Sequence, residues 1–186
     1  VKALLQPYLP TSLITKRDDG TYALAYDHAK SIGFIAPFYG NFGVIVRAYA
    51  YMLMLGGSGL RRVSEHAVLN ANYIRAALKD AYDLPYDRRC MHECVFSASR
   101  QAKQNVHALD IAKALIDRGF HPPTMYFPLN VPEALMIEPT ETESPEMLDR
   151  FIAAMLAIAE EAREAPESFA DRPVTTPVSR LDEVTA

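Results

Sequence analysis

The sequence predicts an α/β protein in which helices cover one face of a short sheet. Its 186 residues suffice for one domain or slightly more. Hydrophobic residues make up 49% of the chain and charged residues 23%, as in ordinary globular proteins. Helix and strand patterns alternate between residues 58 and 165, which is typical of a small layered α/β domain.

The first third of the chain combines a hairpin pattern with an apolar helix pattern. Residues 11–15 and 21–25 favour strands and flank an Asp-Gly turn, so we predict a hairpin. Residues 30–37 suggest a further extended segment. Residues 42–55 are apolar on almost every side, and we expect a helix that is buried all round and ends at the Gly56-Gly57 pair.

The remaining elements follow from hydrophobic spacing and capping signals. Apolar steps of three and four residues predict helices with one inward stripe, and Ser144-Pro145-Glu146 is a helix start. Short β-rich runs lie between them. The predicted elements are a helix from Ser58 to about Ala81, a strand over 94–99, a helix over 105–118, strands over 124–127 and 134–138, a helix from 145 to about 165, and an extended tail over 166–186.

Composition excludes several classes of function. The net charge of −4 argues against a non-specific nucleic-acid binder. Two cysteines are too few for a disulfide framework, so we expect a reducing, cytoplasmic environment. The most apolar run, 42–55, contains Arg47 and is shorter than the roughly 20 residues of a membrane span. The chain starts at Val1 with no Met or signal peptide, and we expect a piece of a longer protein.

One candidate metal site is Cys90-Met91-His92-Glu93-Cys94. Zinc sites usually pair such ligands with a second pair elsewhere, and the sequence offers none. A strand that begins with one buried cysteine is the favoured interpretation, and we predict no metal. A small zinc module built on Cys90, His92 and Cys94 is the alternative.

Three further segments have both a functional and a structural interpretation. The turn at Tyr39-Gly40-Asn41 precedes a helix and suits an anion, although Asn41 as a simple helix cap explains it as well. His121, held between Gly119 and two prolines, is a candidate acid or base or a structural loop residue. The acidic run 138–143 suits a cation or a partner, or merely the start of the next helix.

Other catalytic signatures are missing from the sequence. There is no nucleophile elbow, no phosphate loop of the GxxxxGKS type and no GxGxxG turn. Of the six lysines, only Lys30 lies in a notable setting, beside Asp27 and His28. A lysine that forms a Schiff base needs a desolvated pocket, and we predict that Lys30 is a surface residue.

Longer motifs resemble a known family. FYGNFG, RAYAY and LGGSGL, followed by SEHAVLNANY, resemble the glycine decarboxylase family, the pyridoxal-phosphate P-proteins of the glycine cleavage system. DLPY, MHE, ALDIAKALIDRGFHPPTMYFPL, ALMIEPTETES and the tail motif TTPVSRLDEV agree with it. The resemblance covers residues 1–183 and is greatest to the C-terminal part of the beta subunit (subunit 2) of the split bacterial form.

The resemblance implies a fold and a domain division. The fold would be type I of the pyridoxal-phosphate enzymes, with residues 1–57 as the C-terminal remnant of the large domain. Residues 58–165 would be the small domain with its connector helix, followed by the tail over 166–186. The lysine that carries the cofactor would lie upstream of Val1, so the fragment alone would bind no cofactor and be inactive.

The resemblance also implies an activity and partners. The full enzyme would decarboxylate glycine with pyridoxal phosphate as electron sink. It would pass the aminomethyl group to the lipoyl arm of the H-protein, with an alpha subunit as a further partner. Tyr39, Gly40 and Asn41 would contact the phosphate of the neighbouring subunit's cofactor.

In the small domain, His121, Glu138, Thr140 and Glu141 would line the cleft for the lipoyl arm. Because the apolar helix over 42–55 would be exposed in a monomer, we also expect the fragment to self-associate. A stand-alone binding or assembly module without catalytic activity is the alternative function.

Overall fold

The computed structural model describes residues 1–182. The chain forms two compact units, Val1–Gly57 and Ser58–Ala186.

The first unit contains a 3₁₀ helix and one hairpin. The 3₁₀ helix covers Ala3–Tyr8, and the antiparallel strands are β1 (Leu13–Lys16) and β2 (Tyr22–Ala25). The Asp19 carboxylate closes the turn by accepting from the Thr21 amide at 2.9 Å. The predicted hairpin is therefore confirmed, but the segment over 30–37 is not a strand, because it pairs only through one Thr11–Phe34 bridge.

Helix α1 (Phe42–Leu78) is broken at Gly56, whose φ of 64° and ψ of 178° are not helical. Only glycine adopts this backbone conformation readily, since a Cβ would be strained there. The predicted interruption at the glycine pair is thus confirmed. Two helical segments result, over 42–55 in the first unit and from residue 58 in the second.

The composition of the segment over 42–55 predicted a helix buried on every side, and this prediction is wrong. Nearly all its side chains are exposed within the chain, because no other element of the first unit is large enough to cover them. Among residues 1–182, α1 is the one helix whose length and composition would permit a membrane span, and those two properties alone are weak grounds for one. Its apolar part before Gly56 measures about 21 Å, less than the hydrocarbon core of about 30 Å.

The second unit packs α-helices and a three-stranded sheet around one core. Its strands are β3 (Cys94–Ser97), β4 (Thr124–Met125) and β5 (Ala134–Ile137), in the antiparallel order β3-β5-β4. Helices α3 (Ala108–Asp117) and α4 (Pro145–Glu164) accompany the later part of α1. The α/β class and the order of the elements predicted from sequence are confirmed.

The core of this unit lies between α1, α3, α4 and the sheet. Its fully buried side chains include Ile74, Phe96, Leu115, Leu135 and Met155. The Tyr82 hydroxyl, also buried, donates to the Met155 carbonyl at 2.9 Å, and burial raises the pKa of this phenol. This hydrogen bond offsets the free-energy cost of removing the Tyr82 hydroxyl from water.

Two elements start or end differently from the sequence prediction. The strand predicted over 94–99 ends at Ser97, because the Ser97 hydroxyl accepts from the Ser99 amide and the chain turns into the short helix α2 (Ser99–Ala102). Helix α3 begins later than predicted, since Asn105 has a left-handed φ of 62° and His107 forms a capping box with Asp110.

The predicted extended tail is partly folded. It starts with a 3₁₀ turn at Pro166–Phe169, and Phe169 is buried in the core. Arg172 pairs with Glu161 of α4, and one oxygen of Asp117 accepts from the amides of Val174 and Thr175. The last four residues of the predicted tail, 183–186, lie outside the described residues.

Candidate functional site

A cleft of about 450 Å³ in the second unit is the candidate functional site. It lies between the loop that follows α3, the end of β5 and the start of α4. Its apolar wall consists of Ile74, Phe120, Met136, Leu148 and Phe151. Its polar groups are His121, Thr124, Glu138, Thr140 and Glu143. A cleft of this size with an apolar wall and few polar groups is typical of small-ligand sites.

His121 is positioned by the loop that ends α3. Gly119, with φ 79°, reverses the chain, and the Phe120 amide donates to the Leu115 carbonyl at 3.0 Å. The Phe120 ring then meets Phe151 of α4 edge-on, with centroids 5.5 Å apart. With its neighbour anchored and Pro122 following, the exposed imidazole of His121 is held at the cleft by rigid backbone.

Glu138 and Thr140 enter the cleft from the end of β5. The Thr140 carbonyl accepts from the buried Asn70 side chain at 2.9 Å, which ties this loop to α1. The hydroxyls of Thr140 and Thr142 are 2.7 Å apart, and the Glu143 amide donates to the Thr140 carbonyl. The loop before α4 is therefore ordered by its own hydrogen bonds rather than merely by capping.

Three of the four residues expected at this cleft, His121, Glu138 and Thr140, line it. The fourth, Glu141, is not among the lining residues and is half-buried with a partner of its own. Sequence reasoning missed Asn70 and the Phe120–Phe151 pair. Asn70 carried a signal, since it is a polar residue beside Ala71 on the inward stripe of α1.

The turn at Tyr39-Gly40-Asn41 lies in the first unit. The Tyr39 hydroxyl donates to the Ser12 carbonyl at 2.6 Å, and the Asn41 side-chain oxygen accepts from the Val44 amide at 3.2 Å. Gly40 has φ 73°. Asn41 thus caps the segment over 42–55, as the structural interpretation predicted.

The Cys90–Cys94 segment does not bring together Cys90, His92 and Cys94, the ligands of the alternative zinc module. Cys94 is buried, and burial raises the pKa of its thiol to about 12. Burial also raises the pKa of the half-buried Cys90 thiol. Within residues 1–182, the one set of three potential ligand atoms close together is instead His92, Glu93 and Glu138.

None of the six lysines lies in a desolvated pocket. Lys30 is exposed, as predicted, and four of the other five are exposed as well, with only Lys113 half-buried. No lysine lines the cleft between the loop after α3 and the start of α4.

Comparison with known families decides the relationship. The family model described as "Glycine dehydrogenase, C-terminal domain" matches residues 63–176, well over half of the chain. The chain belongs to the glycine dehydrogenase family. The resemblance seen in the sequence motifs is therefore confirmed. The matched residues contain α3, the sheet, α4 and the whole cleft lining.

Individual relatives agree with this glycine dehydrogenase assignment. A probable glycine dehydrogenase (decarboxylating) subunit 2 of Listeria innocua is 56% identical over 186 residues, covering all of this chain. A protein of the same description from Prosthecochloris aestuarii is 58% identical and covers 98% of the chain. In both cases the chain spans only 38% of the relative's length.

A solved structure supports the fold of this glycine dehydrogenase domain. It is a crystal structure of glycine decarboxylase (P-protein) of the glycine cleavage system in inhibitor-bound form. The TM-score is 0.62 at 20% identity, over 84% of this chain and 37% of the other. At that identity the likeness concerns the fold alone, which is the one expected from the motifs.

Proposed function

We propose that this chain acts as the C-terminal part of a glycine dehydrogenase (decarboxylating) subunit 2. The whole protein would decarboxylate glycine with pyridoxal phosphate and transfer the aminomethyl group to the lipoyl arm of the H-protein. The observation that carries the proposal is 56% identity over the entire chain to relatives of that description. We further propose a cytoplasmic location, as expected from the two free cysteines.

The chain supplies only part of the catalytic machinery in this proposal. A fold type I enzyme attaches its cofactor to a lysine, and the described lysines are unsuited to that role because they are exposed or half-buried. The lysine would belong to another part of the longer protein. The isolated chain would accordingly be inactive and would not retain pyridoxal phosphate.

The cleft would receive the lipoyl arm. Its apolar wall, with Phe120 and Phe151, suits an aliphatic chain, while His121, Glu138 and Thr140 offer polar groups at the open side. Such groups would orient the arm and move protons at its sulfur atoms. Glu141, which lies off the lining, would act only by supporting the loop.

The turn before α1 would contact the cofactor phosphate of a neighbouring subunit. The first amides of a helix lack partners within the helix and favour an anion. Gly40 allows close approach there, and the Asn41 amide nitrogen would add a donor. Tyr39, whose hydroxyl is engaged by Ser12, would position the turn.

Three partners follow from the proposal. The alpha subunit (subunit 1) and the lipoylated H-protein would bind the longer protein. The isolated chain would associate with itself, because the apolar side chains over 42–55 are exposed within it. A stand-alone docking module remains the alternative, and the ordered cleft of the second unit is what favours it.

Reconstitution of the longer protein tests the proposal. Subunit 2 carrying this chain, together with subunit 1, should exchange glycine carboxylate with CO2 when pyridoxal phosphate and lipoylated H-protein are present. Removal of residues 1–186 should abolish the exchange. Exchange that continues without them, or a reducible pyridoxal adduct on a lysine of the isolated chain, would contradict it.

Two variants separate the cleft from the remainder of the protein. His121→Ala should raise the H-protein concentration needed for half-maximal exchange about tenfold, because a polar contact to the arm is lost. His66→Ala, at an exposed position on α1 outside the cleft lining, is the matched control and should change nothing. Equal effects of the two variants would remove the cleft from the mechanism.

A further inference from the structure

We infer that His92, Glu93 and Glu138 form a binding site for a divalent transition-metal ion. The His92 Nε2 atom lies 3.7 Å from Glu138 Oε1 and 3.9 Å from Glu93 Oε2. All three potential ligand atoms lie within 4.8 Å of one another. The inference does not depend on the proposed function.

The spacing fits one ion. Zinc bonds to imidazole nitrogen and carboxylate oxygen are about 2.0–2.2 Å long, so neighbouring ligand atoms around it lie about 3.0–3.5 Å apart. The two distances from His92 exceed that range only slightly. Small side-chain rotations would bring the three atoms to one centre, because all three side chains are partly exposed.

The strand register explains why two carboxylates meet here. Cys94 pairs with Ile137, so the preceding residue of one strand, Glu93, faces the following residue of the other, Glu138. Like charges directly opposite each other on neighbouring strands are destabilising. A bound cation would remove that repulsion, and His92 adds the nitrogen ligand that favours a transition metal over Mg²⁺ or Ca²⁺.

The ligand set differs from the zinc module considered from sequence. Cys94 is buried in the core. Neither cysteine sulfur belongs to the set of three close ligand atoms found within residues 1–182. We therefore assign one nitrogen and two oxygen ligands, with water completing the coordination.

Zinc titration of the full 186-residue chain tests the inference. After treatment with a chelator, isothermal titration with Zn²⁺ should give one ion per chain. Glu138→Gln and Glu93→Gln should each weaken binding about ten- to hundredfold, an effect at least as large as that of losing an outer-shell partner. Circular dichroism of each variant should be unchanged, because the substituted side chains are partly exposed.

Two controls sharpen the result. Cys90→Ser should bind Zn²⁺ like the parent chain, and so should His66→Gln, which removes an exposed histidine outside the set. Binding that is lost in Cys90→Ser would overturn the inference in favour of a thiolate site. Absence of one-to-one binding, or equal binding by Glu138→Gln, would show that His92 and Glu138 form an ion pair only.

Discussion

The two units of the chain bury their apolar residues to very different extents. The buried hydrophobic core comes entirely from residue 71 onward. In the first unit, large apolar side chains such as Phe34, Phe42 and Leu53 are mostly exposed. The second unit is stabilised by its own packing, whereas the first has no buried hydrophobic core among the residues that the structure describes.

This contrast separates local from tertiary stabilisation. The first unit keeps a hairpin, a helix cap and a closed turn, each held by hydrogen bonds between near neighbours in sequence. The first unit also has bonds over longer separations, such as that from Tyr39 to Ser12. Only the second unit adds a buried hydrophobic core to such contacts, among them the bond from the buried Tyr82 to Met155. Cooperative unfolding is expected to report on the second unit alone, since burial supplies most of the stability.

Truncation of an apolar side chain should lower the free energy of unfolding far more at a core position than at an exposed one. Phe96→Ala should lower the free energy of unfolding by about 3–5 kcal/mol, because a fully buried ring leaves a cavity. Leu53→Ala, at an exposed position of the first unit, should change it by less than about 0.5 kcal/mol. Urea denaturation followed by circular dichroism measures both. Similar losses of unfolding free energy at the two positions would show that both units are stabilised by burial to the same extent.

The folded tail should contribute less than Phe96 to the free energy of unfolding, and its contribution should depend on pH. Asp117→Ala should cost about 1–2 kcal/mol, since the amides of Val174 and Thr175 lose their acceptor. Asp19→Ala removes a similar acceptor in the first unit and should leave the unfolding transition unchanged. Denaturant curves for the two variants make a matched pair.

The pH dependence of the Asp117 contribution has a defined sign. Burial alone would raise the pKa of this carboxyl, but hydrogen bonds from Thr175 and Val174, with Arg172 nearby, leave its pKa below the ordinary value of 3.8. Its stabilising contribution is therefore complete above pH 3.8 and is lost as the pH falls through the lower folded-state value. Asp117→Asn should remove that acid-sensitive part from a pH series of melting temperatures.

Self-association should depend on the first unit. Val46→Glu combined with Leu53→Glu places charges on exposed positions seven residues apart, on one side of the helix. We expect the association constant to fall about tenfold or more, equivalent to about 1.4 kcal/mol. Light scattering over a concentration series gives the constant. Leu69→Glu, at an exposed position of the second unit, should have no such effect.

The smallest effects come from two helix caps of similar geometry. The Ser144 hydroxyl accepts from the Met147 amide at 3.3 Å, and Asn41 accepts from Val44 at 3.2 Å. Ser144→Ala should lower the free energy of unfolding by about 1 kcal/mol, because α4 packs on the core. Asn41→Ala should leave it unchanged. A loss at Asn41 equal to that at Ser144 would place the first unit in the same cooperative transition.

Sequence patterns predicted most of the fold because local signals agreed with tertiary packing. The inward stripe of α4, the cap at Ser144 and the Asp-Gly hairpin all appear where they were expected. The helix over 42–55 was assigned correctly but its burial was not, because the first unit contains no element large enough to cover it. The folded tail was missed because its partners, Asp117 and Glu161, are distant in sequence.

The candidate site was predictable only in part. His121 and Thr140 were singled out by rigid backbone and polar spacing, and the structure brings them to one cleft. The proximity of His92 to Glu138 was not foreseen, since it depends on the pairing of β3 with β5 across more than forty residues. Single-sequence reasoning identifies residues with chemical potential, but strand register decides which of them meet.

The break in α1 depends on the absence of a side chain at Gly56. A side chain there would meet no neighbouring atom within 4 Å, so space does not require glycine; only the backbone angles do. Adding a single methyl group by Gly56→Ala would favour right-handed helical angles at this residue, because the left-handed region is costly for alanine. Gly56 thus lies next to the boundary between a unit with exposed apolar side chains and a unit with a buried core.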